Sequence, residues 1–127
     1  MTRRTIATDR APGAIGPYSQ GVKAGGFLFT AGQIPLDPAT MQVVGETAPD
    51  QARQALANAR AIVEAGGLGL GDVVKVTVFI RDMGEFAAIN EVYKTFFGEN
   101  PPARSVVEVS RLPKDVLVEV EMIAYSG

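Results

Sequence analysis

The chain has 127 residues, the size of one domain and enough to bury roughly two-thirds of its unfolded surface. Hydrophobic residues make up 46% and charged residues 20%, and a net charge of −2 with a pI near 5.1 excludes a protein built chiefly to neutralise phosphates. Neither cysteine nor histidine occurs, which rules out disulfides, thiol nucleophiles, Ser-His-Asp triads and the usual nitrogen or sulfur zinc sites.

Catalysis must therefore be built from carboxylates, Tyr, Lys, Arg and backbone groups. Residues 1–127 are expected to form a single domain. The basic residues are scattered, only Arg3 and Arg4 being adjacent. The best apolar run, Val73–Ile80, contains Lys75 and Thr77 and falls far short of the roughly 18 residues that span a bilayer. Residues 1–4 are not followed by the apolar stretch of a secretory signal. These features predict a soluble, cytoplasmic protein without nucleic-acid or membrane partners.

In chain order, residues 5–8, 20–23 and 27–31 are β-rich and strand-length, with Lys23-Ala24-Gly25-Gly26 as the turn between the last two. Gly16-Pro17-Tyr18-Ser19-Gln20-Gly21 combines a rigid turn with a phenol; Tyr18 fits a packed aromatic with a hydrogen-bonded tip as well as a site residue. Thr30-Ala31-Gly32-Gln33 ends the third strand on a glycine. That is either a simple bend or a place where freed N–H groups bind a carboxylate or orient water. Pro35-Leu36-Asp37-Pro38 with Ala39-Thr40 has the turn chemistry of an ordered loop.

Ala52, Ala55, Leu56, Ala59, Ile62 and Val63 then follow the i, i+3, i+4, i+7 rule of an amphipathic helix. Thr47 and Asp50 are spaced like a capping box, Pro49 sits near the start, and Gly66-Gly67 stops the helix. Gly67-Leu68-Gly69-Leu70-Gly71 has the outline of a dinucleotide loop. It follows a helix and precedes a strand, the reverse of the context that sets phosphate on a helix N-terminus, and reads as a stop and turn. After a strand at residues 73–80, a second helix runs from about residue 83 to residue 97, with Phe86, Ile89, Tyr93, Phe96 and Phe97 on one face. Asp82 and Glu85 offer its cap, and Asn100-Pro101-Pro102 ends it. Asn90, one residue past Ile89, is by default a solvated helix residue. Strands follow at residues 103–109 and 116–124.

This order, with both helices amphipathic, predicts an α+β fold: a single mixed six-stranded sheet with two helices packed on one face. Val, Leu and Phe on both sides of several strands leave the other face in need of a partner, and oligomerisation supplies one. The simplest arrangement of the last two strands is a hairpin closed by residues 110–115, pairing Val109 with Val116, Val106 with Glu119 and Arg104 with Glu121. Ala103, Ser105, Val107 and Val109 then share the core face with Val116, Val118, Val120 and Met122. Arg104, Val106 and Glu108 join Leu117, Glu119 and Glu121 on the face away from the helices. A bidentate cationic donor near carboxylates in a dry cleft suits a small carboxylate-bearing substrate. The same pattern fits an exposed strand-end Arg104, or one in a structural salt bridge to Glu119 or Glu121. Two glutamates flanking Val120 in a half-buried strand are costly unless water or a cation compensates.

Over essentially its whole length the chain resembles the reactive imine deaminase family (RidA, or YjgF). The matching segments are Ala14-Ile15-Gly16-Pro17-Tyr18-Ser19-Gln20-Gly21, Thr30-Ala31-Gly32-Gln33-Ile34-Pro35, Gln51-Ala52-Arg53, Val76-Thr77-Val78-Phe79, Pro102-Ala103-Arg104-Ser105, Arg111-Leu112-Pro113-Lys114-Asp115 and Val118-Glu119-Val120-Glu121. The resemblance implies a chorismate-mutase-like fold, a homotrimer whose three sheets face a central barrel, and ligand sites in the clefts between subunits. It implies hydrolysis of 2-imino acids and their enamine tautomers, such as 2-iminobutanoate and 2-aminoacrylate, to 2-keto acids and ammonia, with no metal or organic cofactor. By position, the family's carboxylate-binding arginine falls on Arg104 and its water-handling glutamate on Glu119. Its site tyrosine matches Tyr18, its strand-end glycine Gly32 and its cleft asparagine Asn90. Two substrate-site positions depart from many relatives: Val106 stands where a cysteine is common and Ala31 where a serine is. The stretch between Phe97 and Pro102 is also shorter than in some relatives. Two other readings compete, a non-catalytic trimer that binds or senses small keto acids and a ribonuclease, the latter disfavoured by the acidic pI and scattered basic residues.

Overall fold

A computed structural model describes residues 3–127. Met1 and Thr2, which begin the segment read for a leader, lie outside the described residues. The strands are β1 (Arg4–Ile6), β2 (Gly21–Ala24), β3 (Phe27–Thr30), β4 (Val73–Ile80), β5 (Ala103–Glu108) and β6 (Val118–Tyr125), and the helices α1 (Ala48–Ala65) and α2 (Phe86–Phe96). They form one mixed six-stranded sheet in the order β1-β2-β3-β6-β4-β5, with both helices on one face, as the sequence predicts.

The apolar face of α1 is the one its periodicity specifies: Ala52, Ala55, Leu56, Ala59, Ile62 and Val63 are all buried. Burying a Leu or Ile side chain is worth about 1.5–3 kcal/mol, so this stripe is a main anchor of the helix. The helix begins earlier than the apolar stripe because the Thr47 side chain accepts a hydrogen bond from Asp50 N (3.3 Å), with Pro49 in the first turn. It stops at Gly66, where a Cβ would collide with Leu28 and crowd Ile6, and at Gly67, which has φ +87°. Asn58 on α1 is buried and donates to Ile34 O (3.1 Å) and Leu36 O (2.9 Å). It thereby ties down the loop that follows β3. Within that loop the Asp37 carboxylate accepts from Ala39 N and Thr40 N, giving the order its turn residues imply.

The last two strands depart from the expected hairpin. β6 sits between β3 and β4, antiparallel to both, while β5 lies at the edge, parallel to β4. The pairs Val109 with Val116, Val106 with Glu119 and Arg104 with Glu121 do not form. Arg104 instead aligns with Val76 and Glu121 with Thr77. The physical reason lies in the two strands' content. β6 buries Val118, Val120, Met122 and Ala124 in strict alternation and takes a central place, whereas Arg104, Ser105 and Glu108 are tolerable only at an edge. With α2 as crossover, β4 and β5 become neighbours in the parallel sense.

This pairing inverts the expected face of β5. Val76, Val78 and Ile80 point into the helix-covered core, and their partners Arg104, Val106 and Glu108 share that face. Ser105 and Val107, placed in the core by the hairpin reading, are exposed on the other face. Glu119 and Glu121 lie on that uncovered face, opposite Phe79 and Thr77. Phe27, Phe29 and Tyr125 complete it, 42–44% exposed and in ring contact, with centroids 6.1 Å (Phe27 to Phe29) and 4.8 Å (Phe27 to Tyr125) apart. Among the described residues no helix is long and apolar enough to cross a membrane.

Candidate functional site

Arg104 is the second residue of β5, one past the Pro101-Pro102-Ala103 entry, and reaches across the helix-covered face to α2. Its Nη1 donates to Asn90 Oδ1 at 2.6 Å. Its guanidinium carbon lies 4.6 Å from the ring centroid of Tyr93 and 5.4 Å from that of Phe86, within cation–π range. Burial pushes the Tyr93 phenol up, and the Arg104 charge partly counters that shift. None of the ion pairs among the described residues includes Arg104, so the salt bridge to Glu119 or Glu121 allowed by the sequence is not formed. A cleft of about 340 Å³ opens beside it, walled by Tyr93, Phe97, Pro101 and Pro102 with Asn90 and Lys94 at its edges. The result is a half-buried bidentate donor facing a cleft with no anion of its own chain attached.

Glu119, Gly32 and Tyr18 form a second group. The β3–β6 ladder pairs Phe29 with Ile123; beyond it, Met122 N donates to Thr30 Oγ1 (3.0 Å), and pairing resumes between Gln33 and Val120. Ala31 and Gly32 bow out between these anchors, much as a bulge re-aims a strand beside a site. The carboxylate of Glu119 fills the space so made, because a Cβ on Gly32 would collide with its Oε2. Burial, and then the neighbouring Glu121, push the Glu119 carboxyl above the ordinary glutamate range. Tyr18 is held by a turn in which its N donates to Gly16 O (2.8 Å) and its hydroxyl accepts from Ile15 N (3.4 Å). It shares a depression of about 30 Å³ with Gly32, too small to enclose a ligand. A groove of about 730 Å³ runs along the N-terminal segment past Tyr18 and includes neither Arg104 nor Glu119.

A family profile described as Endoribonuclease L-PSP matches residues 8–126. A 2-iminobutanoate/2-iminopropanoate deaminase of Escherichia coli (strain K12) is 56% identical over 124 residues, covering 95% of this chain and 96% of that protein. The chain belongs to the RidA (YjgF) family. It is also 59% identical over 123 residues to a RutC family protein of Pyrococcus horikoshii, with 97% of this chain and 98% of that protein covered. The solved structure of E. coli TdcF with bound serine matches it with a TM-score of 0.94 at 54% identity, covering 98% of this chain and 99% of that one.

The positions singled out by the RidA resemblance thus fall into two sets within one chain. Arg104 and Asn90 are hydrogen-bonded, and Tyr18, Gly32 and Glu119 cluster elsewhere, but the sheet separates the two sets. Asn90, a solvated position by helix pattern alone, is half-buried and engaged. Val106, expected beside Glu119, packs instead against the helix-covered core. Ala31 is tied by its N–H to Gln20 O at 2.8 Å and lies in the bowed segment. The sequence reading missed Phe86 and Tyr93 as partners of Arg104, treating both as core residues. The signal was present: residues 86, 90 and 93 stand at i, i+4 and i+7, one stripe of α2 with an amide at its centre. Among the described residues no cluster of acidic side chains suits a metal ion.

Proposed function

We propose that the chain is a hydrolytic deaminase of small 2-imino acids and their enamine tautomers, acting as a homotrimer in which each site combines Arg104 and Asn90 of one subunit with Tyr18, Gly32 and Glu119 of the next. The observation that carries this reading is the division of the site residues between two sheet faces. A carboxylate receptor without an anion and a carboxyl whose pKa burial raises lie apart in one chain, and a second copy covering the apolar sheet face would bring them together. The aromatic surface of Phe27, Phe29 and Tyr125 supports such an assembly. The deaminase name of a 56% identical relative and the serine bound to TdcF support a small amino-acid-like ligand.

In this mechanism the substrate carboxylate lies along the free edge of the Arg104 guanidinium, and the imine carbon faces Glu119. Water adds to that carbon and gives one proton to the Glu119 carboxylate. The same proton passes to the nitrogen, giving a carbinolamine; the hydroxyl proton then follows it by way of Glu119 as the carbon–nitrogen bond breaks, so the oxygen stays as the carbonyl and the nitrogen leaves carrying both water protons. Imino acid and water thus become keto acid and ammonia. Tyr18 and the backbone near Gly32 orient the imine and the water. A carboxyl with a raised pKa suits this exchange because its carboxylate takes up a proton more readily than an exposed one.

The test generates 2-aminoacrylate from serine with a dehydratase and follows pyruvate and ammonia release with and without the protein. Faster release that disappears in Arg104→Ala supports the assignment, and an unaffected Arg104→Ala variant sinks it. Calorimetric binding of keto acids without turnover of any imino acid would favour the non-catalytic binder instead. The endoribonuclease description of the family profile suggests RNA as a substrate, but a net charge of −2 supplies little of the phosphate attraction such binding needs.

A further inference from the structure

We infer that Tyr93 is a positioning residue for the substrate carboxylate: its ring face, assisted by that of Phe86, fixes the plane in which Arg104 presents its guanidinium. This rests on the carboxylate-binding role of Arg104 proposed above. An arginine side chain loses much rotamer freedom when it is held in one geometry, and bidentate recognition requires that geometry to be set in advance. The single side-chain hydrogen bond of Arg104 among the described residues, from Nη1 to Asn90, leaves the group free to pivot about that bond. The two rings remove the pivot. They lie 4.6 and 5.4 Å from the guanidinium carbon and, with Asn90 between them, share one stripe of a single helix. Nε and Nη2 stay available for an incoming carboxylate.

Tyr93 itself cannot move far. It is 6% exposed and packs against Phe97 at a ring-centroid distance of 4.8 Å. Its hydroxyl is buried and has no hydrogen-bond partner among the described residues. An enclosed, unpaired hydroxyl weakens the fold, so the contribution of this side chain to the site lies in its ring face and not in its polar tip. Phe86 is half-buried and supplies the second, more yielding wall.

The experiment measures KM, kcat and Tm with 2-iminobutanoate formed in situ, for Tyr93→Phe, Tyr93→Leu and Phe86→Leu. Tyr93→Phe should keep KM within about twofold and melt no lower than the parent protein. Tyr93→Leu should raise KM about tenfold while kcat is largely kept, since the lost contact acts on ground and transition states alike. Phe86→Leu should raise KM less, with little change in Tm because the ring is half-exposed. A Tyr93→Phe protein as impaired as Tyr93→Leu would show that the hydroxyl acts, and overturn the proposal. So would a Tyr93→Leu protein that loses Tm but not KM. Calorimetry with 2-oxobutanoate reads the same clamp without chemistry. Should the parent protein bind this keto acid but turn over no imine, the deaminase reading fails, and the positioning role still stands or falls on whether Tyr93→Leu weakens binding about tenfold.

Discussion

Mixing two inactive variants tests whether the site is shared between subunits. In the proposed site, Arg104→Ala removes the carboxylate receptor and Glu119→Ala the proton-transfer group, each on a different sheet face of the chain. Truncating one partner of a desolvated charge pair costs about 2 kcal/mol or more, and losing a proton-transfer group costs about a hundredfold or more, so each variant alone should retain at most about 3% of activity. If the variants are unfolded together in equal amounts and refolded, random assortment gives each subunit contact about a one-in-four chance of joining an intact Arg104 to an intact Glu119. The mixed preparation should therefore recover about a quarter of the parent activity, several times the background. Pyruvate and ammonia release from 2-aminoacrylate provides the assay, with light scattering to confirm that refolded samples share one mass. Activity no higher than the average of the separately refolded variants, at equal mass, would refute the shared site.

Three further outcomes follow from the geometry. Gly32→Ala sets a methyl against Oε2 of Glu119, so activity should fall at least about tenfold as the carboxylate is displaced, read as kcat/KM. Because the folded-state pKa of Glu119 lies above that of the unfolded chain, its contribution to stability is fully present below the unfolded value and is lost as pH rises through the folded one. Glu119→Gln should accordingly melt higher than the parent at neutral pH, and the gap should close near pH 4, where the unfolded glutamate titrates at about 4.3; an equal gap at both pH values would contradict the shift. Asn58→Ala leaves the Ile34 carbonyl without its buried donor and the Leu36 carbonyl with only the longer bond from Gln54, and should cost about 1–3 kcal/mol in denaturant unfolding.

The helices and most strand positions were legible because their signals are local. The stripe of α1, the Thr47 cap and the alternation of β6 each lie within a few turns or residues of chain. The partner of β5 was not legible, because a hairpin and a parallel crossover satisfy the same alternation, and only competition for the central place beside β4 decides between them. That one choice moved Arg104 and Val106 to the face opposite Glu119. For the candidate site, residue types and motif matches named Arg104, Glu119, Tyr18, Gly32 and Asn90, but not how they group. Tyr93 was hidden for a different reason: a tyrosine on an apolar stripe looks like core, and its use by Arg104 depends on a strand that begins ten residues later.

The bond from Asn90 to Arg104 closes a loop of 14 residues, whereas the bond from Met122 to Thr30 that shapes the bow beside Glu119 spans 92. By loop-closure entropy alone, the longer span costs about 1.7 kcal/mol more to bring together. The arginine clamp belongs to a compact strand-helix-strand segment that can assemble early, while the floor under Glu119 must wait until the two ends of the chain meet. Once folded, the two halves differ the other way: β6, which carries Glu119, is a central strand, whereas β5, which carries Arg104, lies at the sheet edge, where local opening costs less. The proposed carboxylate receptor is thus both the half that can form early and the half nearest to local opening, while the proposed proton-transfer half, once made, is held by the middle of the sheet.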